Sequence, residues 1–277
     1  MLLNKNIEEQ MNRDGVATIP FLLPEELAGV QSFFAQLKAE YTLQFTHGMH
    51  MTLWHSDLAF KQKVKDALLV LLQPAFERNF TNCRRLNNIF MVKQAHTEGE
   101  FAMHNDWSVV DESRFQSINV WIALQDTAPH NGGLWMLKGS HRIDMPIRGG
   151  GALLPRFEAA AEQLKPYCEP VNAQAGEAVL FYHKTIHGSF PNQSDEDRAV
   201  CTFSIIPQEA ALQICFQKDD NSPLEIYEPA DDFNYKYNNL LEDTNTFAPG
   251  KHPMKVKPPY HQKEFSAEEV IELITKN

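Results

Sequence analysis

The sequence predicts a mainly β protein of the antiparallel sandwich or jelly-roll class, with helices flanking the strands. From residue 86 onward the chain consists largely of short segments rich in β-branched and aromatic residues, separated by clusters of Gly, Pro, Asn and Asp. These segments read NNIFMVKQA, SINVWIAL, LWML, EAVLFYH and AVCTFSIIP. Because most of them follow one another without a helical period between, the pattern favours antiparallel strands over the alternating strands and helices of a parallel sheet.

Helices are predicted mainly before this region. Residues 2–12 suit a short polar helix, which is followed by the strand-like segment VATIPFLL. An amphipathic helix is predicted from Pro24 to about residue 40, because proline suits the first helical turn and the acidic residues after it suit the helix N-terminus. Ser56 or Asp57 is predicted to cap a further helix, LAFKQKVKDALLVLLQPAFERNF, whose apolar residues recur at spacings of three and four.

The later part of the chain has its own local signals. Residues 154–167 are predicted as a helical excursion between strands, and residues 217–262 as an ordered but loop-rich segment. The closing segment SAEEVIELITKN is predicted as a helix, because Ser266 and Glu269 have the spacing of a capping box. The triple glycine at 149–151 lacks the Gly-Lys-Ser/Thr of a phosphate-binding loop and is predicted to be a flexible turn.

Length and composition indicate one globular domain over residues 1–277. Hydrophobic residues make up 43% and charged residues 22% of the chain, which is typical of a globular protein with a substantial core. Within this domain we expect helical elements in 1–80, a β core in 86–207, and a loop-rich segment with a closing helix in 208–277. The sequence does not indicate an oligomeric state.

Charge and targeting signals limit the possible partners. A net charge of −11 argues against nucleic acid as a partner, and also against an anionic membrane surface. No apolar stretch reaches the length of a membrane span or a signal sequence, so we expect a cytoplasmic protein. The four cysteines are scattered without a CxxC pair, which favours reduced core thiols over disulfides or a zinc site. A small-molecule substrate remains compatible with this charge, because a basic pocket can lie inside an acidic protein.

Three His-x-acid triplets are the first candidates for a metal site. With 11 His and 36 acidic residues in 277, chance alone supplies about one or two such triplets, so the spacing by itself decides nothing. The triplet at 55–57 is explained by helix capping, and the triplet at 96–98 lies in a turn-like stretch before a strand. In FAMHNDWS, however, His104 and Asp106 would project to the same face of a strand.

A distant histidine and arginine extend this triplet into a candidate iron site. A facial non-haem iron site needs two imidazoles, one carboxylate and open positions for cosubstrate and oxygen. His183 and His187 are both candidates for the second imidazole, and His187 precedes a glycine, which allows a ligand to approach closely. Arg198 comes 11 residues after His187, a distance that suits the neighbouring antiparallel strand. A buried arginine there would bind a dicarboxylate through a bidentate fork.

Together these residue types are what a 2-oxoglutarate-dependent oxygenase requires. The competing class is a cupin-type isomerase or metal-binding protein, which also uses histidine and carboxylate ligands. Arg198 favours the oxygenase, because the competing proteins need no anchor for 2-oxoglutarate. An inactive protein of the same class is disfavoured, because all three ligand positions and the arginine are filled.

Three motifs carry a resemblance to a known family: MHNDWS, NVWIALQDTAPHNGGLWMLKGSHR and AGEAVLFYHKTIHGSFPNQSDEDRAV. The stretch from RDGVATIPFLLPEEL to FSIIP, about two-thirds of the chain, resembles the phytanoyl-CoA dioxygenase family of Fe(II)/2-oxoglutarate oxygenases. This resemblance implies a double-stranded β-helix, a cupin-like fold that agrees with the jelly roll predicted from the short segments.

The resemblance also implies the residues of the site. His104, Asp106 and His187 match the iron ligands of the family, and Arg198 matches the arginine that pairs with the distal carboxylate of 2-oxoglutarate. The presence of Asp106 argues against halogenation, because related halogenases replace this carboxylate by a small residue. Four further residues match or neighbour positions that line the cosubstrate pocket: Lys93, Trp121, Asn119 and Ser204.

Three other positions bear on architecture and on substrate preference. His141 lies in the motif GSHR, which resembles an architectural turn of the family, and we expect it to make a structural hydrogen bond. Asn105 and His130 depart from the glutamine and glutamate that the family often has at these positions. The substrate preference of the family is therefore not transferred to this chain.

The implied activity is hydroxylation of an unactivated C–H bond of a small molecule with Fe(II), 2-oxoglutarate and O2. Residues 46–57, rich in His, Met and Trp, are either a wall of the substrate pocket or an ordinary connection between helices. The acidic and aromatic segment 217–243 is a candidate lid. It favours an amine-bearing substrate such as an amino acid or a natural-product intermediate, whereas an acyl-CoA would call for a basic cluster at the entrance.

Overall fold

The computed structural model describes residues 1–154, 157–236 and 253–276. In these residues the chain forms three sheets, of which one has six strands and two have four. The strands are β1 Val16–Pro20, β2 Met49–Met51, β3 Cys83–Lys93, β4 Phe101–His104, β5 Ile118–Ala123, β6 Leu134–Met136, β7 Gly150–Gly151, β8 Glu169–Val171, β9 Glu177–Tyr182, β10 His187–Ser189, β11 Arg198–Pro207, β12 Ile214–Gln217, β13 Leu224–Tyr227 and β14 Lys255–Lys257. The strand orders are β1-β9-β5-β11-β3-β2, β4-β10-β6-β8 and β14-β13-β12-β7.

The first two sheets face each other and form the jelly roll that the sequence predicts. Trp121 on β5 and Val200 on β11 point inward, where they pack against Leu134 and Met136 of β6 in the opposite sheet. Val120, the neighbour of Trp121 along β5, points outward into a different buried cluster. This alternation follows from the period of two in a strand, and it separates the barrel interior from the face that the helices cover.

Helices cover the outer face of the six-stranded sheet. The described helices are α1 Lys5–Asp14, α2 Pro24–Glu40, α3 Leu58–Leu71, α4 Gln73–Asn79, α5 Glu158–Leu164, α6 Phe233–Lys236 and α7 Ala267–Thr275. No helix in the described part of the chain has the length and apolar character needed to cross a membrane. Phe34 of α2 and Leu68 of α3 share one buried cluster with Phe90 of β3 and Val120 of β5. Burial of each such side chain contributes about 1.5–3 kcal/mol, so this layer supplies much of the stability.

Local signals set the helix ends largely where the sequence predicts them. α1 ends at Gly15, whose φ of +77° lies in the left-handed region that favours glycine. Asp57 caps α3, because its carboxylate accepts a hydrogen bond from the N–H of Ala59 at 2.8 Å. Ser266 and Glu269 form the predicted capping box of α7.

One helix prediction needs correction. The continuous helix predicted after Asp57 is divided at Leu72 into α3 and α4. Pro74 has no N–H to donate to the carbonyl of Val70, so the helical hydrogen-bond pattern is interrupted there. The apolar spacing continues through the break, which is why the periodicity alone indicated a single helix.

Three strands of the third sheet, β12, β13 and β14, lie beyond the predicted β core, and the fourth, β7, belongs to the triple glycine. Residues 149–151 do not form a flexible turn, because Gly150 pairs in parallel with Phe216 of β12. A Cβ on Gly149 would lie 2.0 Å from the carbonyl oxygen of Cys215, so glycine is what allows β12 to approach this closely. The segment predicted to be loop-rich contains β13, α6 and β14, while residues 237–252 of it lie outside the described residues.

Stability is expected to fall on acidification, because His50 on β2 is buried as a neutral ring. His50 is 1% exposed, its Nδ1 donates to the carbonyl of Gln44 at 2.9 Å, and its Nε2 has no partner. Burial lowers the pKa of His50 below the ordinary value of 6.5, although the hydrogen bond to Gln44 opposes the shift. The unfolded chain binds a proton more readily, so this contribution to stability is present above pH 6.5 and is lost as the pH falls below it.

We expect the unfolding free energy of His50→Asn, which keeps a donor for Gln44, to depend less steeply on pH than that of the unchanged protein. The difference should be at most about 1.4 kcal/mol per pH unit below about pH 6.5. Denaturant unfolding at several pH values measures both slopes. His96→Asn, at a side chain that is 67% exposed, is the matched control and should leave the slope unchanged. Equal slopes for His50→Asn and the unchanged protein would contradict the prediction.

Candidate metal centre

Strand pairing brings two histidines and an aspartate together. β4 ends at His104, and β10 begins at His187, which lies directly opposite His104 in the antiparallel register. Asp106 follows two residues later, just beyond the end of β4. One nitrogen of each imidazole and one oxygen of the carboxylate lie within 4.8 Å of one another. These are the three residues that the sequence predicts as metal ligands.

Hydrogen bonds fix which nitrogen of each ring faces the cluster. Nδ1 of His104 donates to the carbonyl of Ala102 at 2.8 Å, and Nδ1 of His187 donates to the carbonyl of Thr185 at 2.9 Å. Each Nε2 therefore carries the lone pair, and the two Nε2 atoms lie 3.8 and 4.0 Å from the carboxylate oxygens of Asp106. These distances are too long for hydrogen bonds and leave space for a cation between the three donors.

The donor set and its charges fit a non-haem iron ion. Burial, and then the neighbouring His187, lower the pKa of His104 to about 4, which keeps this ring neutral. Burial alone would raise the pKa of Asp106, but the nearby histidines and Asn119 hold it below its usual range. Neutral imidazole and ionised carboxylate are the metal-binding forms. Two imidazoles and one carboxylate make a facial triad with open coordination positions, and the described residues bring no fourth ligand to this group.

A hydrogen-bonded chain supports Asp106 from the barrel interior. Asn119 on β5 donates from Nδ2 to Oδ2 of Asp106 at 2.5 Å, and its Oδ1 accepts from the hydroxyl of Ser204 on β11 at 3.1 Å. Ser204 also contacts Nε2 of His183 at 3.1 Å, and Nδ1 of His183 donates to the carbonyl of Trp107 at 3.0 Å. His183, the alternative second histidine, thus lies outside the donor cluster. Asn119 and Ser204 are predicted beside the cosubstrate; Asn119 contacts the candidate ligand Asp106, and Ser204 contacts Asn119 and His183.

Arg198 and Lys93 form a second buried polar group, opposite each other at the start of β11 and the end of β3. Each is 1% exposed, and neither has a carboxylate within ion-pair distance in the described parts of the chain. Nη2 of Arg198 donates to the carbonyl of Gly132 at 2.9 Å, whereas Nε and Nη1 are buried without a partner. The guanidinium lies over the ring of Trp121, 5.2 Å from its centroid. Arg198 therefore keeps two donors for a group that the protein does not supply.

Lys93 extends toward the strand that carries His187. Its Nζ donates to Oγ of Ser189 at 2.9 Å and to the carbonyl of Phe190. Ser189 comes two residues after His187 on β10, so the two side chains face the same side of the strand. Burial, and then Arg198, lower the pKa of Lys93 to about 7, and burial lowers that of Arg198 to about 10. Two adjacent buried cations without an anion indicate a site for an anionic ligand.

The other histidine signals are structural. Asp57 of the triplet at 55–57 caps α3, as the sequence predicts. His96 of the second triplet lies in a loop and is 67% exposed. His141 donates from Nε2 to the carbonyl of Asn12 at 3.1 Å, which confirms the expected structural hydrogen bond.

Sequence reasoning missed Ser189 and the buried pair of Glu112 and Arg148. Ser189 was within reach of that reasoning, because it comes two residues after His187 in a strand-like segment. Glu112 and Arg148 join through two hydrogen bonds of 2.7 Å, and Nε of Arg148 donates to the backbone carbonyl of Asp106 at 2.6 Å. No local signal marks this pair, because 36 positions separate the two charges.

The sequence profile of phytanoyl-CoA dioxygenase matches residues 11–200, which is more than half of the chain. The chain belongs to the phytanoyl-CoA dioxygenase family. The matched span includes His104, Asp106, His187 and Arg198, whereas β12, β13, β14 and α7 lie after it.

Curated relatives in the phytanoyl-CoA dioxygenase family show the extent of the similarity. Phytanoyl-CoA dioxygenase domain-containing protein 1 of Danio rerio is 30% identical over 132 residues, which are 45% of this chain and 45% of that protein. The phytanoyl-CoA dioxygenase of Arabidopsis thaliana is 26% identical over 127 residues, which are 45% of this chain and 44% of that protein. The match therefore spans less than half the length of these relatives.

Solved structures share the fold of this family member at low identity. The epimerase SnoN, in complex with Fe³⁺, alpha ketoglutarate and nogalamycin RO, has a TM-score of 0.57 at 16% identity, over 93% of this chain and 95% of that one. HygX from Streptomyces hygroscopicus, with nickel, 2-oxoglutarate and hygromycin B bound, has a TM-score of 0.54 at 17% identity, over 75% and 88% of the two chains. At these identities the likeness shows the fold, which agrees with the predicted double-stranded β-helix.

Divalent metal is expected to raise the unfolding temperature through this cluster. An ion that binds only the folded state raises the free energy of unfolding by about 2.7 kcal/mol when its concentration is a hundred times its Kd. Thermal unfolding with and without Co(II), and again after EDTA, measures the shift. His187→Ala should lose most of it, whereas His96→Ala, in the exposed loop, should retain it. An equal shift in His187→Ala would place the bound metal elsewhere.

Removal of the Asn119 amide is expected to weaken metal binding. Asn119→Ala frees Oδ2 of Asp106, and outer partners of this kind change metal affinity by about 10–100-fold. A Co(II) titration followed by absorption measures the affinity. The control is Asn234→Ala, which removes an amide hydrogen bond of 2.9 Å to Asn87 outside the cluster. If Asn119→Ala binds Co(II) as tightly as the control, Asn119 does not orient the carboxylate.

Proposed function

We propose that this protein is an Fe(II)- and 2-oxoglutarate-dependent dioxygenase that hydroxylates an unactivated C–H bond of a small molecule. The observation that carries the proposal is the state of Arg198, whose buried guanidinium keeps two unpartnered nitrogens in the barrel that holds the His104–Asp106–His187 cluster. A cluster of two histidines and one carboxylate alone would suit many metal-binding jelly-roll proteins. Arg198 and Lys93 together form what we call the buried cationic pocket. A facial metal site combined with this pocket suits a 2-oxo acid that bears a second carboxylate.

His104, Asp106 and His187 would hold the iron through two Nε2 atoms and one carboxylate. When bound, the iron would supply the oxidation of 2-oxoglutarate and substrate by O2, chemistry that no side chain provides. The protein would contribute the positions and orientations of the three metal-binding side chains. Backbone carbonyls fix the two imidazole rings through their Nδ1 atoms, and Asn119 fixes the carboxylate, so the donors are set before the ligands arrive.

The buried cationic pocket would hold the far carboxylate of 2-oxoglutarate. Nε and Nη1 of Arg198 are the free donors, and the ring of Trp121 lies beneath the guanidinium. Nζ of Lys93 and the hydroxyl of Ser189 lie at the side of the pocket nearest His187. An anion bound here would compensate both cations, so we expect it to raise the pKa of Lys93 from about 7.

An apolar wall beside the barrel interior would exclude water and contact the substrate. Met91 of β3 packs against the interior cluster that contains Trp121, and also against a second cluster that contains Tyr235. Trp54 packs against this second cluster as well. Trp54 belongs to the segment 46–57, and Tyr235 belongs to the described part of 217–243. Both segments that the sequence associates with the substrate therefore meet in this second cluster, which supports their assignment as pocket walls.

We propose an amino acid or a natural-product intermediate as the substrate, in preference to an acyl-CoA. SnoN and HygX, which share the fold, were solved with nogalamycin RO and hygromycin B. The net charge of −11 disfavours the phosphates of an acyl-CoA and favours an amine. Acidic side chains are frequent in the described part of the candidate lid: Asp219, Asp220, Glu225, Glu228, Asp231 and Asp232.

A cupin-type isomerase or metal-binding protein is the competing function. Such a protein shares the jelly roll and the histidine and carboxylate ligands, but it needs no site for 2-oxoglutarate. A purely structural arginine in its interior would normally be paired with an acid. The unpaired state of Arg198 beside Lys93 is therefore the observation that favours the oxygenase.

The deciding experiment is an anaerobic titration with Fe(II) and 2-oxoglutarate. We expect a visible metal-to-ligand charge-transfer band, because a 2-oxo acid chelates the iron, and we expect Asp106→Ala to lose it. Arg198→Leu should need roughly 10–100 times more 2-oxoglutarate for the same band, because it loses a bidentate charge-assisted contact.

The control for the arginine is Arg114→Leu, whose guanidinium lies over Phe115 instead of in the buried pocket. It should leave the 2-oxoglutarate requirement unchanged. Absence of the band in the unchanged protein, or an unaltered band in Asp106→Ala, would refute the oxygenase. An unchanged requirement in Arg198→Leu would favour the cupin-type alternative.

A further inference from the structure

Asp106 is held by its backbone as well as by its carboxylate. We propose that the buried Glu112–Arg148 ion pair is a positioning device for Asp106, through which the third sheet supports the metal centre. This inference rests on the proposed function, because it requires Asp106 to be a metal ligand.

The ion pair is closed to solvent and uses every nitrogen of the guanidinium. Arg148 is 0% exposed, and the side chain of Glu112 is 1% exposed. Nη1 and Nη2 of Arg148 donate to different carboxylate oxygens of Glu112, each at 2.7 Å, and Nη1 also donates to the carbonyl of Met145. The remaining nitrogen, Nε, donates to the backbone carbonyl of Asp106 at 2.6 Å. The arginine thus connects a buried carboxylate to the backbone of the metal ligand.

The backbone of Asp106 needs such support, because β4 ends two residues before it at His104. The N–H of Asp106 donates to the carbonyl of His183 at 2.9 Å, and its carbonyl accepts from Arg148 on the other side. Ser108 adds a second attachment, since its hydroxyl donates to the carbonyl of Arg148 at 2.9 Å and its N–H donates to the same carbonyl at 3.1 Å. The loop that carries Asp106 is therefore fixed to residue 148.

Residue 148 leads directly into the triple glycine, which connects this loop to the third sheet. A Cβ on Gly150 would lie 3.0 Å from the ring of Phe216 on β12 and 3.7 Å from the ring of Trp107, which follows Asp106. β7 thus pairs with β12, and Gly150 leaves room for the rings of Phe216 and Trp107 on one side of this strand. Strands β12, β13 and β14 come after residue 200 and lie outside the family match, whereas Glu112, Arg148 and β7 lie within it.

The choice of residue types indicates positioning more than stability. Two apolar side chains of similar volume often stabilise an interior at least as well as a buried ion pair. An apolar pair cannot bind the carbonyl of Asp106. Lysine at position 148 would not suffice either, because its three donors share one nitrogen and cannot span both oxygens of Glu112 and the carbonyl of Asp106 as the planar guanidinium does. Arginine paired with glutamate fills the interior with a neutralised pair and also binds the carbonyl of Asp106, which holds the backbone of that residue in place.

The test replaces both charges by residues of similar volume and measures metal binding on the folded protein. We expect Arg148→Met/Glu112→Met to remain folded but to bind Co(II) with an affinity about 10–100-fold lower than that of the unchanged protein. The Co(II) absorption bands should also change in position and intensity, because the carboxylate is no longer held in one orientation. Circular dichroism and thermal unfolding report whether the fold is retained.

A second ion pair offers a matched control. Arg78 also forks onto Glu26, at 2.6 and 2.5 Å, and donates from Nη2 to the carbonyl of Phe21 at 3.0 Å, in a more exposed position without a metal ligand. Arg78→Met/Glu26→Met should leave both the Co(II) affinity and the Co(II) spectrum unchanged. A loss confined to the first pair would therefore report on Asp106 and not on ion pairs in general.

Unchanged Co(II) affinity and spectrum in Arg148→Met/Glu112→Met would overturn the positioning role. If that variant does not fold, Arg148→Lys keeps the charge and removes the fork, and the same measurements decide by the same criteria. Failure of the unchanged protein to bind Co(II) is a different result, because it would refute the metal site and with it the proposed function.

Discussion

Antiparallel pairing of β4 with β10 is the constraint on which the candidate metal centre depends, because it places His187 opposite His104. A shift of this pairing by one residue would turn one imidazole to the other face of its strand and separate the donors. The register is fixed from both sides, since β10 also pairs with β6, where His187 faces Met136. Gly188 contributes as well, because a Cβ there would lie 2.4 Å from the carbonyl of Phe101. Pairing of β10 with β4 on one side and with β6 on the other therefore fixes a single register.

The two buried arginines show how the same side chain serves different purposes in one interior. Arg148 has Glu112 and two backbone carbonyls as partners, so it completes its hydrogen bonds within the protein. Arg198 has one carbonyl and keeps two donors free beside the equally buried Lys93. A satisfied buried cation fixes the chain around it, whereas an unsatisfied one indicates a ligand. Arg148 is therefore proposed to support the loop that carries Asp106, and Arg198 is proposed to bind 2-oxoglutarate.

Much of the fold and part of the site were predictable from short-range patterns. The cap at Asp57 and the capping box at Ser266 depend on side chains a few residues from the backbone that they bind, so the sequence reveals them directly. Because Asp57 was recognised as a helix cap, the triplet at 55–57 could be set aside as a metal site, whereas His104 and Asp106 could not. Pro74 was the local signal whose effect was underestimated, because apolar spacing continues across the break between α3 and α4.

The sequence by itself determined the jelly-roll class, the helix caps and the set of candidate metal ligands. These follow from strand period, capping chemistry and family motifs, all of which are local in the chain. Family motifs already favoured His187 over His183, whereas only the tertiary structure decided that Asn119 bonds to Asp106. It alone revealed Glu112 and Arg148. The physical reason is that such contacts join residues far apart in sequence, so they depend on strand order and register, which no local pattern specifies.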